Sequence, residues 1–429
     1  MANKLNQGQQ DAADGFFDFL LSDEKEMIIS GPGGVGKTFL MGQMIDDVIP
    51  RYQSTCKALG MKADYVDVYM TATTNKAADV LSIASNRPTG TIHQHLNLKV
   101  LEDYGTGKST LSKTREWKVH QNQVLFIDEC SMIDTPLRRL VREGTHASKI
   151  VYVGDHCQLA PVMEKLSPIY RDGLRTYELT QPMRTDNPEL QALNMQLRAT
   201  VETGIFKPIQ IIPGVIDWLN QDQMVDEIQE HFVNKGTTDR ILAYTNKQVI
   251  SLNRYIRDLR GLPTELSVGE NLINNSMVKV KSGSLSVEEA VEIIELSEEV
   301  ESYYPHPEAE VFIRRATIRT PLKGLFTNVM IPVDRVHAQS VMKWLAQRKY
   351  WSDYFNMKQS VPDLRERDAA TTHKAQGSTH GTVYIDATDI STCRDPDQTA
   401  RLLYVAASRA RSRVVFYGEL ADKFGGFAH

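Results

Sequence analysis

Cysteine is scarce in this chain. Four occur in 429 residues, Cys56, Cys130, Cys157 and Cys393, and no two are spaced Cys-x-x-Cys. That argues against a disulfide framework or a zinc site and points to buried thiols. No apolar run approaches the length of a membrane span. The opening Met-Ala-Asn-Lys-Leu-Asn-Gln lacks the apolar core of a signal peptide. A cytoplasmic chain without a membrane partner is therefore expected. Basic charge is not in excess: 49 Lys and Arg stand against 54 Asp and Glu, a net −5. This excludes a protein that coats DNA by bulk charge, while leaving room for a narrow channel lined by a few polar and basic groups. There is no solenoid repeat and no low-complexity linker. With 41% hydrophobic and 24% charged residues the composition is globular, and the length calls for roughly two to four domains.

What is present is a phosphate loop. Residues 31–38 read Gly-Pro-Gly-Gly-Val-Gly-Lys-Thr, after apolar Met27-Ile28-Ile29 and before a helical run from Phe39 to Val48. Strand, loop and helix are the context this motif requires. Gly31, Gly33, Gly34 and Gly36, with Val35 between, let backbone N–H groups turn inward around phosphate oxygens, and Phe39 opens the helix whose N-terminus adds partial positive charge. Lys37 is placed to reach the β- and γ-phosphates, and the Thr38 hydroxyl to hold Mg²⁺. Val124-Leu125-Phe126-Ile127-Asp128-Glu129 is a second apolar strand, ending in two acids. Asp128 is assigned to Mg²⁺ and Glu129 to polarising the attacking water. Val151–Gly154 leads into Asp155-His156-Cys157-Gln158, where a Gln at a strand tip can sense the γ-phosphate. The chain thus binds a nucleoside triphosphate.

Apolar runs alternate with helical patterns. Met27–Ile29, Tyr65–Met70, Val124–Ile127 and Ile150–Val153 read as strands after a helix over Gln7–Leu21. A later series has strands Ile241–Tyr244, Thr382–Ile385 and Val414–Tyr417, with helices Lys247–Leu259 and Asp397–Ser408. Two α/β units with parallel sheets follow. Leu96–Val119, with Gly105-Thr106-Gly107, reads as an inserted hairpin. Residues from about Gly261 to Arg365 interrupt the second unit. They hold a Glu-rich part (Glu288, Glu289, Glu292, Glu295, Glu298, Glu299, Glu301), expected to be a solvated surface, then basic β-like stretches Val311–Arg319 and Val329–Val336.

Further segments carry a resemblance. Asp128-Glu129 leads into Ser131-Met132, and Gly154-Asp155 into Gln158-Leu159 and Pro161. Leu179–Arg184, Ala370–Ser378 with its Thr-x-His-Lys-x-Gln-Gly core, Tyr404–Ala410 and Tyr244–Lys247 follow in order. From Leu5 to about Tyr417 the chain resembles superfamily 1 helicases of the RecD-like branch, of a phage type, and Trp351–Tyr354 agrees. The resemblance implies two RecA-like P-loop domains, residues 1–95 with 120–178 and 179–260 with 366–429. It also implies a small β-hairpin pin over 96–119 and a mostly β, SH3-like accessory insertion over 261–365. Gln9 matches the residue that reads the adenine edge, and Arg184 and Arg409 match arginine fingers. Met183 stands where many members place an adenine-stacking aromatic. Strand-contacting positions are Thr73, Thr74, Asn75, Lys76, Thr91 and His93 in the first unit, and Thr245, Asn246, Lys247, Thr372, His373 and Lys374 in the second. Tyr104 would meet the terminal base pair from the pin. The implied cofactors are ATP and Mg²⁺. The implied partners are single-stranded and forked DNA, with single-strand-binding or replisome proteins, around a monomeric motor. Movement would be 5′→3′, in phage DNA replication or recombination.

Three other readings compete. A single-strand translocase that strips proteins or remodels recombination intermediates uses the same motor. A small-molecule P-loop kinase has no use for the second α/β unit. An inactive DNA-binding module has no use for the intact set Lys37, Thr38, Asp128, Glu129, Gln158, Arg184 and Arg409. Lys37→Ala is expected to lower ATP turnover at least about 100-fold, because the phosphates lose their nearest cation. Steady-state phosphate release measures this, and wild-type-like turnover would refute the loop's assignment.

Overall fold

The computed structural model describes residues 5–161, 164–181, 187–233, 239–280, 283–321 and 323–428. Two parallel sheets dominate. The first runs, from edge to edge, Arg175–Glu178, Glu26–Ser30, Lys149–Gly154, Gln123–Asp128, Asp67–Ala72 and Gly90–Thr91, every pair parallel. The second runs Ile216–Leu219, Ala410–Tyr417, His380–Asp386, Arg240–Ala243 and Ala369–Thr371, also all parallel. This is the two-fold RecA-like architecture expected from the alternating pattern.

The central strands are continuous apolar runs because both faces are covered. Met27, Ile29, Val124, Phe126, Val151 and Val153 pack with Phe16 and Phe19 of helix Gln7–Leu21. The alternate residues Ile28, Leu125, Ile127, Ile150 and Tyr152 face Leu137 and Val141 of helix Thr135–Glu143. The second sheet divides the same way: Leu242, Val383, Ile385, Val414 and Phe416 pack with Leu402 of helix Pro396–Ala407. Ile241, Tyr384 and Val415 pack with Phe232. Four strands fall outside the apolar runs of the sequence. Gly90–Thr91 and Ala369–Thr371 are too short to make one, Arg175–Glu178 has only Tyr177 as an apolar residue, and Ile216–Leu219 has one fully buried residue.

The hairpin is formed by Leu98–Glu102 and Ser109–Lys113, antiparallel. The Asp103 carboxylate caps its turn by accepting from Gly105 N at 2.8 Å. Gly107 sits at φ +72°, and a Cβ there would lie 2.6 Å from the Trp351 ring.

The second interruption is an antiparallel sheet: Glu301–His306, Ala309–Thr320, Ala290–Leu296, Asn271–Asn274 and Leu364–Glu366, with Gly324–Pro332 on the long strand. The β-like stretch ends earlier than expected. Asp334 caps a helix over Arg335–Gln347, and a second helix covers Trp351–Ser360. The acidic run is only partly a solvated surface. Glu298 and Glu299 are exposed, but Glu289 is buried, accepting from Ser286 N at 2.6 Å and from Lys323 Nζ at 2.8 Å. Glu288 pairs with Lys374 at 3.0 Å. Alternation along Ala290–Leu296 sends Val291 and Ile293 inward, so neighbouring acids are pulled into pairing range. No helix of the described residues is long and apolar enough to cross a membrane.

Phe126→Ala removes a fully buried ring beside Phe16, centroids 5.6 Å apart. It is expected to destabilise the first sheet by about 3–5 kcal/mol, measured as a lower urea midpoint of the unfolding transition that reports this sheet.

Candidate active site

The nucleotide loop hangs from the Glu26–Ser30 strand, whose last four residues are buried. Gly31 N donates to the Gly154 carbonyl at 3.0 Å, binding the loop to the neighbouring strand tip. A Cβ on Gly31 would meet the Leu179 carbonyl. Gly34 (φ +86°) and Gly36 (φ +78°) take left-handed conformations that turn the backbone amides inward. Helix Lys37–Gln43 starts with no side-chain cap, so its first amides face the loop. Lys37 Nζ donates to the carbonyls of Gly31 at 2.7 Å and Pro32 at 2.9 Å. Its charge stands inside the loop, where phosphate oxygens are better acceptors.

Gln9 has a structural role of its own. It is fully buried, its amide Nε2 donates to the Val35 carbonyl at 3.2 Å, and its Oε1 accepts from Asn6 N at 3.1 Å. In this structure the amide joins a helix capping box to the phosphate loop.

Asp128 and Glu129 end the Gln123–Asp128 strand. Desolvation, then the neighbouring Glu129 charge, push the Asp128 carboxyl up to about 7, opposed by Lys37. A carboxylate in that setting invites a cation. The Asp128 carboxylate and the Thr38 hydroxyl are both hard-oxygen donors of the kind that would hold Mg²⁺. Glu129 sits at φ +53°, uncommon for a non-glycine residue. Its backbone N donates to Asp128 Oδ1 at 2.9 Å and its carbonyl accepts from Thr73 Oγ1 at 3.3 Å, which holds it there. Its carboxylate looks across to the second sheet: a Cβ on Gly377 would lie 3.7 Å from Oε1.

Gln158 is buried, and Gln376 Nε2 from the second unit donates to its Oε1 at 3.0 Å and to Ser131 Oγ at 3.3 Å. Arg409 is buried at the end of its helix. It donates to the Val405 carbonyl (3.1 Å), Ser408 Oγ (2.8 Å) and the Ser378 carbonyl (3.3 Å). Burial lowers its pKa and the Glu129 charge opposes that. The finger is thus folded onto its own element, close enough to feel Glu129. Arg184 and Met183 lie outside the described residues.

The residues expected to contact DNA divide. Thr73, Thr91 and Thr372 are buried, and their hydroxyls bond to the backbone. Thr91 caps the turn Ile92–His95, and Thr372 Oγ1 donates to the Ala243 carbonyl at 3.3 Å. Lys76 is also turned inward: its Nζ donates to the Lys374 carbonyl at 3.2 Å, and burial lowers its pKa to about 8. Lys374 itself is engaged by Glu288 and by Asn275 of the insertion. Thr245 Oγ1 donates to Asp389 at 2.8 Å. Thr74, Asn246, Lys247 and His373 are exposed, and Asn75 and His93 half-buried. Tyr104 is 53% exposed, with its ring edge-on to Phe355 at 5.5 Å.

Sequence reasoning missed the residues that tie the two units together: Gln376, Arg198, Arg401 and Tyr404. Gln376 lay inside a quoted motif and could have been singled out. Arg198 and Arg401 sit on amphipathic helices where an arginine is ordinarily solvated. Asp155, His156 and Cys157 lie close together. However, Asp155 is already occupied by Arg198 (2.5 Å) and Tyr404 (2.7 Å), and that guanidinium disfavours a cation.

A phosphate loop and acidic strand tip on one RecA-like sheet, faced by a glutamine and an arginine from a second, define a superfamily 1 helicase. Residues 4–229, over half of the chain, match the AAA domain family, and the chain belongs to it. Residues 368–417 match the UvrD-like helicase C-terminal domain. The ATP-dependent DNA helicase dda of Enterobacteria phage T4 is 23% identical, with 96% of this chain and 99% of that protein covered. An uncharacterised protein of Acanthamoeba polyphaga mimivirus is 22% identical over the same shares. Among solved structures, the Bacteroides Pif1 helicase in complex with ADP-AlF3 and ssDNA has a TM-score of 0.54 at 14% identity, covering 98% of this chain and 94% of that one. The Candida albicans Pif1 helicase has a TM-score of 0.50 at 15% identity, covering 99% and 96%. These likenesses carry the fold.

Glu129→Gln keeps the shape of the side chain and loses the base. Turnover is expected to fall more than about tenfold, with nucleotide binding retained. Single-turnover hydrolysis and a fluorescent-nucleotide titration check this together.

Proposed function

We propose that the chain is an ATP-driven DNA helicase that moves on single strands and opens forked duplexes, 5′→3′. The observation that carries it is the Gln376–Gln158 hydrogen bond at 3.0 Å. It joins a Thr-x-His-Lys-x-Gln-Gly segment of one unit to the γ-phosphate sensor of the other, so nucleotide state and the angle between units are coupled. The phage T4 relative, named an ATP-dependent DNA helicase, supports the substrate class. So does the ssDNA in the Bacteroides Pif1 complex, by analogy of fold.

In this reading residues 1–95 with 120–178 form the first motor domain and 179–260 with 366–429 the second. The pin is 96–119 and the accessory insertion 261–365. Lys37 and the loop amides hold the phosphates. Thr38 and Asp128 hold Mg²⁺, which supplies charge neutralisation on the phosphates when bound. Glu129 orients the water and accepts its proton. Arg409 and Arg184 swing onto the phosphoryl oxygens as the cleft closes. Exposed Thr74, Asn246, Lys247 and His373 contact the strand backbone, which positions without reading sequence. The work belongs to phage DNA replication or recombination in the host cytoplasm. The motor is a monomer, met by single-strand-binding or replisome proteins.

The hairpin supports the unwinding reading over simple translocation. It is braced, with Gly107 against Trp351, Tyr104 against Phe355, and Gln359 Nε2 donating to Glu102 Oε2 at 2.6 Å. A wedge must be stiff to split base pairs. Replacing Val100–Ser112 by a short Gly-Ser linker is expected to preserve DNA-stimulated ATPase and abolish unwinding of forks with a 5′ tail. Parental unwinding rates would move the splitting element elsewhere, and unwinding of 3′-tailed forks alone would reverse the polarity.

A further inference from the structure

The turn that carries Gln158 grows out of the first sheet but is gripped by the second unit. Arg401, on helix Pro396–Ala407, donates from one guanidinium nitrogen to the carbonyls of His156 (2.6 Å) and Gln158 (2.7 Å). Asp397, one turn earlier, accepts from Arg401 Nε at 3.1 Å and orients the group. Arg401 is 8% exposed, so these are charge-assisted bonds shielded from water. Tyr404, on the same helix, donates to Asp155 Oδ2 at 2.7 Å. The Gln158 side chain is held independently by Gln376. Backbone and amide of the sensor are therefore both fixed from across the cleft. The helix that does so ends at Ala407, directly before Ser408 and Arg409.

We propose that Arg401 is a positioning residue. By holding the 156–158 backbone it sets Gln158 against the γ-phosphate when the second unit is closed, and releases the sensor when that unit withdraws. The proposal rests on the motor reading above for the identity of the nucleotide. The geometry favours it because a turn rooted in one rigid sheet and pinned to a helix of another cannot keep its shape when the two separate. Removing the guanidinium leaves two buried carbonyls without their donor, and the turn relaxes to satisfy them. Arg409 and Gln158 would then arrive together because one rigid helix carries the clamp and leads into the finger.

The test compares Arg401→Ala, Arg401→Lys, Gln158→Ala and the Arg401→Ala/Gln158→Ala double variant. It reads kcat and KM for ATP with saturating single-stranded DNA, and the affinity for a fluorescent ATP analogue. Arg401→Ala is expected to lower kcat about 10- to 100-fold while KM and affinity move less than about threefold. Arg401→Lys keeps a donor and is expected to recover part of the loss. In the Gln158→Ala background, Arg401→Ala is expected to cost less than about a further twofold, since it acts through the same side chain. Full multiplication of the two single effects would overturn the proposal, as would unchanged kcat or a defect in KM alone. If Arg401→Ala fails to fold by circular dichroism, the cycle is run with Arg401→Lys, whose coupling to Gln158→Ala decides in the same way. Lys37→Ala separates the two levels of inference. A parental chain whose hydrolysis does not depend on Lys37 refutes the motor reading itself, whereas Lys37-dependent hydrolysis with multiplicative Arg401 and Gln158 effects refutes the positioning role alone.

Discussion

The buried parallel strand is the constraint on which everything else hangs. Glu26–Ser30, Gln123–Asp128 and Lys149–Gly154 are apolar along their middles on both faces, and the one polar group there, the Tyr152 hydroxyl, donates to Glu26 Oε1 at 2.9 Å. Chemistry is displaced to the carboxyl ends, where the loops emerge. Parallel order brings those ends to one side of the sheet. The phosphate loop, Asp128–Glu129 and the Gln158 turn become neighbours although about 120 residues separate the first from the last. The backbone bond from Gly31 to Gly154 closes this arrangement by tying two of the three loops directly to each other.

The contacts between the two sheets have a different character. Arg198 and Tyr404 on Asp155, Arg401 on the 156–158 carbonyls, Gln376 on Gln158 and Lys76 on the Lys374 carbonyl are polar, while Cys157 and Leu159 of the same turn pack into the apolar cluster of the second unit with Leu190, Leu193 and Leu402. The polar contacts can exchange their partners for water or phosphate at modest net cost, whereas the apolar ones keep the turn seated on the second unit. Asp155 shows how completely such a seam can be satisfied, since it also accepts from Cys157 N at 3.1 Å.

The hairpin and the antiparallel insertion are joined by aromatic packing instead. Tyr104, Phe355, Trp351 and Tyr354 form a chain of edge-on and tilted rings, with Gly107 admitting Trp351 against the turn. Such contacts lose much when separated and have little affinity for water. Two insertions from separate parts of the chain are therefore held to each other by packed rings.

Residue order alone was enough for the nucleotide site and the two α/β units. Apolar runs of the right length, and motifs whose spacing is set by covalent geometry, express local physics. Gly31 to Thr38, the Asp128–Glu129 pair and the hairpin around Gly107 were legible for that reason. The inward turn of Gln9, Thr73, Thr91 and Thr372 was not. A hydroxyl or amide serves ligand and backbone equally well, and burial makes the choice. Arg401 and Arg198 were invisible because an arginine on an amphipathic helix has no local signature of what faces it. The half-buried fate of the acidic run was equally hidden, since Glu289 meets Lys323 only across the folded sheet. Local chemistry wrote the catalytic parts into the chain. Which polar groups those parts face across the cleft depended on long-range packing, because only the folded sheets remove water and decide which acceptors each donor meets.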